Sequence, residues 1–339
     1  MSCHSYVTRV GLCLALLSSV LGRSSMAIES ESSPLAAAEE SSLAIDPSVT
    51  AVSAVSDYFA THAPASSFPE GDWDWRDTLS VFLGYEGSKQ PQDFGVNAHF
   101  GGRTHINWGA PLWEEAGLGL QLGTAINATA NAVQVNERIE GNSSRTQSFT
   151  TVGLFQRDPS GWRWALAYDF LFQDYYDDFD LGQWRGRLGY ELSPANEVGV
   201  QAAVSDNGDA GQFGPVDVYL RPITHGSVYW RHTWNNGAAL RGWIGVAEGH
   251  SEANVALGDL PPQDECLVYG SDVFVPLGDY LAIFGESNFM TPADTGAVDA
   301  YLGFEIFPWG GAKRSRRNPF TPVLPVANNT SMTVDLERQ

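Results

Sequence analysis

Cysteine is nearly absent from this 339-residue chain, which has only Cys3, Cys13 and Cys266. The first two fall in an N-terminal segment that reads as removable. Cys266 is then left alone, which excludes an intramolecular disulfide or a cysteine zinc site in the remainder. Basic residues are also scarce, 19 Lys and Arg against 40 Asp and Glu, for a net charge of −21. Charge of that sign repels nucleic acid, so no nucleic-acid partner is expected, and inside a pore it would enrich cations. Beyond the N-terminus no apolar run reaches 18 residues. That excludes a helical membrane protein but not a β-barrel, whose alternating strands give almost no hydropathy signal. Metal and cofactor motifs are lacking too. Gly101-Gly102 separate His99 from His105, and Asp206 to Gly211 has the oxygen donors of a calcium loop without a bidentate glutamate, so it reads as a hairpin turn. The strongest tight-turn signal is Asn235-Asn236-Gly237.

What is present begins with a secretory pattern. Arg9 precedes an apolar run from Val10 to Leu21, too short to cross a bilayer as a helix, and Ser25-Met26-Ala27 offers small residues at a cleavage site. Residues 1–27 are therefore expected to be a signal peptide, and its removal leaves 17 basic and 40 acidic residues, net −23. Residues 28–72 are rich in Ser, Ala and Glu, with Pro34, Pro47, Pro64 and Pro69. This low-complexity leader buries too little apolar surface to fold alone. Val52, Val55, Tyr58 and Phe59 recur at helical spacing within it, enough for one short helix that could enter a lumen.

From about Thr78 to Pro308 the pattern has period two, broken by Gly, Asn, Asp or Pro. In Trp162 to Gln173 one face carries Trp162, Trp164, Leu166, Tyr168, Phe170 and Phe172; the other carries Arg163, Ala165, Ala167, Asp169, Leu171 and Gln173. Trp184, Leu188, Tyr190 and Leu192 oppose Arg185, Arg187 and Glu191 in the same way. Such strands are antiparallel and half-buried. Thirteen segments fit, about 8 to 13 residues each, with no convincing helix between them. A tilted strand needs ~9–11 residues to cross hydrocarbon, whereas sandwich strands run ~5–6. The expected fold is an all-β, antiparallel, up-and-down transmembrane barrel over residues 73–309, with a disordered leader and a C-terminal tail at 310–339. An odd count cannot close such a barrel. Two short pieces flank Pro222, and reading one as a bulged continuation gives 12 strands; counting Ala253 to Leu257 as a strand gives 14. We expect 12.

This pattern resembles bacterial porin-like outer-membrane proteins, in particular barrels of planctomycete-type bacteria. Ala300-Tyr301-Leu302-Gly303-Phe304-Glu305-Ile306-Phe307 is similar to the aromatic terminal strand that barrel-assembly machinery recognises, although 32 residues follow Phe307. The resemblance implies an outer-membrane location in a Gram-negative-type bacterium, lipid and assembly-machinery partners, passage of small solutes or ions, and no cofactor. By parity the lumen receives Arg163, Asp169, Arg185, Arg187, Glu191, Gln201, Asp217, Arg221, Arg231, Arg241 and Glu286, and an acidic loop of Asp174, Asp177, Asp178 and Asp180 could oppose the arginines. The alternative is that these charges pair within a closed lumen. Trp75, Trp108, Trp162, Trp184, Trp234 and Trp309 lie near segment ends, as interfacial girdles require. Lys313, Arg314, Arg316 and Arg317 form a basic cluster in a tail read as solvated, with anionic headgroups as the alternative contact. Two other functions compete. A secreted, soluble β-sandwich could use the 11 tryptophans to bind carbohydrate. An outer-membrane acyl hydrolase could use His225 and Ser227, whose two-residue step puts base and nucleophile on one face, but Val228 stands where Asn is usual and parity turns both toward the lumen.

Overall fold

The computed structural model describes residues 75–94, 97–133, 144–251, 264–292 and 296–338. The expected signal peptide, the expected leader and short helix, and the strand candidate at Ala253 to Leu257 lie outside the described residues. Among those described, fifteen strands form: β1 (Ser80–Lys89), β2 (His99–Trp113), β3 (Leu118–Asn131), β4 (Ser144–Arg157), β5 (Trp162–Asp174), β6 (Asp178–Ser193), β7 (Asn196–Asn207), β8 (Asp209–Phe213), β9 (Val216–Pro222), β10 (His225–Thr233), β11 (Ala239–Glu248), β12 (Glu265–Pro276), β13 (Leu281–Thr291), β14 (Ala297–Ile306) and β15 (Val334–Arg338).

Twelve of them close into one antiparallel barrel in which β1 pairs with β14, Val81 opposite Ile306 and Lys89 opposite Val298. One sheet curls onto itself where a sandwich would stack two, so the carbohydrate-binding sandwich does not describe this chain. The count of 12 is as expected, but its reason is not. Neither piece at Pro222 is a bulged continuation of the other: β9 leaves the barrel and pairs with β8 and β15 in a separate three-stranded sheet, and β10 pairs directly with β7. Alternation shows that a strand is half-buried; it does not show in which sheet.

The two rims differ. At one, short connections join the strands, residues 114–117, 158–161, 194–195, 234–238 and 277–280. At the other rim β1, β3 and β11 end and β2, β4 and β12 begin, each pair separated by a longer stretch of sequence, and the β8–β9 hairpin lies there too. Gly237 shapes one of the tight turns with φ of 87°, where a side chain would be strained.

Period-two patterning translates directly into facing. Along β5 the residues predicted apolar point outward, with Leu166 half exposed, while Ala165, Ala167, Asp169, Leu171 and Gln173 are buried inside. The exterior repeats this on most strands, through Leu83, Ile106, Ile126, Val152, Leu188, Ile244 and Leu302. The interior is a packed core.

Much of that core is C-terminal. The tail is not solvated and disordered throughout, as composition suggested: Lys313, Arg314 and Arg317 are exposed, but from Phe320 to Leu336 nearly every residue is buried. Val323 and Leu324 pack with Phe155, Ala165 and Ala167. Val326, Ala327, Met332, Val334 and Leu336 pack with Ala125, Phe149, Leu171, Leu181 and Leu220. The segment enters at the short-turn rim after β14, passes through the lumen, and ends as β15 on β9 beside the long-loop rim.

Candidate functional site: a polar lumen filled by the C-terminal segment

An extended segment inside a barrel has no ladder partners, so its backbone must be satisfied by the wall. Pro319, Pro322 and Pro325 recur every third residue; each removes an N–H that would need an acceptor and holds the chain extended. The carbonyls are taken in sequence. Arg157 Nε donates to Thr321 O (3.3 Å), Arg187 Nη1 to Val323 O (2.8 Å), Gln121 Nε2 to Leu324 O (2.8 Å) and Arg185 Nη2 to Pro325 O (2.8 Å). Beyond them Arg103 Nη2 donates to Ala327 O (3.2 Å), Gln90 Nε2 to Asn329 O (3.1 Å) and Gln183 Nε2 to Ser331 O (3.0 Å). The order of acceptors follows the barrel from one rim to the other.

Charge is unevenly distributed over the lumen wall. The arc from β11 through β10, β7, β6, β5 and β4 to β2 bears Arg241, Arg231, Arg185, Arg187, Arg163, Arg145, Arg157 and Arg103, with Asp169, Glu191 and Glu197 set among them. The remaining arc, β12, β13, β14 and β1, bears Asp272, Glu286, Asp299, Glu305 and Glu86 and has no arginine. The segment lies between them with matching polarity. Its carbonyls face the arginines, while Thr330 Oγ1 donates to Glu286 and Asn329 Nδ2 to Glu86.

Where arginines and acids meet, they pair. Arg185 Nη2 lies 3.0 Å from Asp169 Oδ1, Arg241 Nε 2.5 Å from Asp272, and Arg103 Nη1 3.4 Å from Glu86. Glu197 accepts from Arg163 (2.9 Å), Arg231 (3.2 Å) and the Tyr229 hydroxyl (2.6 Å), and Arg163 also pairs with Glu191. Of the residues assigned to the lumen by parity, Arg163, Asp169, Arg185, Arg187, Glu191, Arg231 and Arg241 are there. Asp217 and Arg221 are not, because they belong to β9 outside the barrel. Asp217 is exposed, and Arg221 pairs with Glu248 (3.2 Å) and Asp335 (3.7 Å). The acidic loop does not oppose the arginines either. Asp174, Asp177, Asp178 and Asp180 are exposed at the long-loop rim, where Asp177 Oδ2 accepts from the Gln212 amide of β8 (2.8 Å). The opposing acids, Glu86, Asp272, Glu286, Asp299 and Glu305, come from strands; of these, parity had pointed only to Glu286. The charge-bearing positions were readable, but the sorting into two walls follows only from strand order.

The long-loop rim adds a buried cluster. Asp93 Oδ1 meets Arg145 Nη1 (3.3 Å) and His99 Nε2 (3.4 Å), and the same His99 nitrogen meets the Tyr175 hydroxyl (3.0 Å). Burial alone would raise the Asp93 carboxyl; Arg145 and His99 outweigh it and hold it below its ordinary value. His105 is remote from this cluster, stacked on Phe82 at 4.8 Å.

Trp162, Trp234 and Trp309 stand half exposed at the short-turn rim, joined by Trp113, Leu277 and Tyr280. Trp108 and Trp184 sit within ladders opposite Leu122 and Tyr168, and Trp75 lies in the turn Trp75–Thr78 before β1. Lys313, Arg314 and Arg317 are exposed at the same rim, whereas Arg316 turns inward over the Phe274 ring at 4.5 Å. Ser227 is buried and its Oγ has no hydrogen-bond partner among the described residues, while His225 Nδ1 faces the Ile223 carbonyl (3.3 Å).

No curated protein matches the chain. Among solved structures, the translocator domain of the autotransporter NalP from Neisseria meningitidis aligns over 78% of this chain and 100% of its own, at 11% identity and a TM-score of 0.43. Outer membrane phospholipase A from Escherichia coli aligns over 67% and 95%, at 10% identity and 0.37. The KdgM porin aligns over 67% and 98%, at 9% identity and 0.37. Residues 78–334, the barrel together with its internal segment, match the model described as "Family of unknown function (DUF6666)", and the chain belongs to that family.

Proposed function

We propose that this protein crosses the outer membrane as a β-barrel and acts as a porin-like channel held shut by its own C-terminal segment. Hydrocarbon offers no hydrogen bonds, so only helices and closed barrels cross it, and this barrel is closed and bears apolar side chains outside a polar lumen. The N-terminal export pattern supports the same location. The observation that carries the reading is the run of wall-to-carbonyl hydrogen bonds from Thr321 to Ser331, which holds in the lumen a segment that follows β14 in the chain and pairs in a sheet only at β15. A strand of the barrel could not leave without opening the sheet; this segment can.

Planar-bilayer recording tests it. The full chain is expected to be nearly silent, and a chain ending at Phe307 to carry steady current, with its folding checked by heat-modifiable mobility. A folded, truncated barrel that passes no ions would leave a structural barrel in place of the channel.

A further inference from the structure

Arg187 differs from its neighbours in the lumen. Arg185 has Asp169, Arg241 has Asp272, and Arg163 and Arg231 share Glu197. Among the described residues Arg187, 7% exposed, has no carboxylate: Nη1 donates to Val323 O (2.8 Å), the guanidinium lies over the Tyr229 ring at 5.5 Å, and Nε has no partner. A guanidinium cannot shed its proton inside a protein, and a carbonyl answers a hydrogen bond without neutralising a charge. A buried cation of this kind calls for a counter-ion.

The space for one adjoins it. A cavity of about 30 Å³ lies between the wall and the C-terminal segment, lined among others by Arg185, Arg187, Arg241, Glu286, Leu324 and Thr330. It has room for about two water-sized occupants. Arg185 and Arg241 are answered by Asp169 and Asp272, so Arg187 is the guanidinium of the lining that no carboxylate contacts among the described residues. We propose that this cavity binds a small monovalent anion of the halide class, seated against Arg187 and enclosed by the C-terminal segment. The ion supplies Arg187 with the counter-charge that no side chain among the described residues supplies. The inference needs the segment in place and is independent of whether the barrel conducts.

Crystals of the full chain soaked in sodium bromide provide the test, because bromide scatters anomalously. An anomalous peak is expected in the cavity beside Arg187, absent in Arg187→Met. In solution, chloride at constant ionic strength against gluconate is expected to raise the unfolding midpoint saturably in the wild type and not in the variant. Should Arg187→Met fail to fold, Arg187→Lys keeps the charge and is expected to retain a weaker peak. A wild-type cavity without bromide, together with identical midpoints in the two salts, overturns the proposal.

Discussion

Glu197 is the point at which the arginine wall is most densely held, since one carboxylate answers Arg163, Arg231 and Tyr229. Removing one partner of a buried pair costs more than the pair itself contributes, because the other charges stay behind in low dielectric. Glu197→Ala is expected to lower stability by about 3–5 kcal/mol, read from urea unfolding in detergent. A loss within experimental error would mean that the wall is hydrated rather than paired. Asp93 sets a pH dependence at the long-loop rim. Its carboxyl lies below the ordinary 3.8 in the fold, so the charged form is the one the fold favours. That contribution is complete above the unfolded value and is lost as pH falls through the lower, folded one. Acid titration of the unfolding midpoint should therefore fall more steeply for the wild type than for Asp93→Asn, and parallel curves would refute the assignment.

Among the elements, the C-terminal segment depends on missing side chains as much as on present ones. A Cβ at Gly109 would stand 2.0 Å from the Phe320 carbonyl oxygen, and one at Gly123 2.6 Å from Val326. Gly109→Val is thus expected to push the segment from its seat, seen as faster proteolysis of the tail and as current from an otherwise silent barrel. Gly102→Ala is the control, because nothing lies within 4 Å of its Cβ position; equal proteolysis of both variants would argue against the seating. The barrel strands were legible because their signal is local: each second residue in β5 is apolar, and that alone fixes facing. The turn at Gly237 was legible for the same reason. The internal segment was not. Its contacts join residues as far apart as Arg103 and Ala327, its apolar residues follow no period, and its prolines and asparagines look like a linker. The three-residue spacing of Pro319, Pro322 and Pro325 was the available clue, since a chain with fewer N–H groups is easier to bury. Asp217 and Arg221 were misplaced because β9 alternates like a barrel strand while pairing elsewhere.

For the whole molecule, the account depends on an inverted arrangement, charged and hydrogen-bonded groups inside and apolar side chains outside. In water that exterior would be a very large exposed apolar surface, of the kind that marks a membrane or partner contact. Spin labels placed one at a time along β5 in a Cys266→Ser background, at Leu166 and Phe170 and at Ala165 and Ala167, test it most directly once the protein is in bilayers. The account predicts high collision rates with oxygen, which partitions into hydrocarbon, at Leu166 and Phe170, and low rates at Ala165 and Ala167. Equal rates on both faces, or preferential collision of the outer labels with a water-soluble nickel chelate, would contradict it.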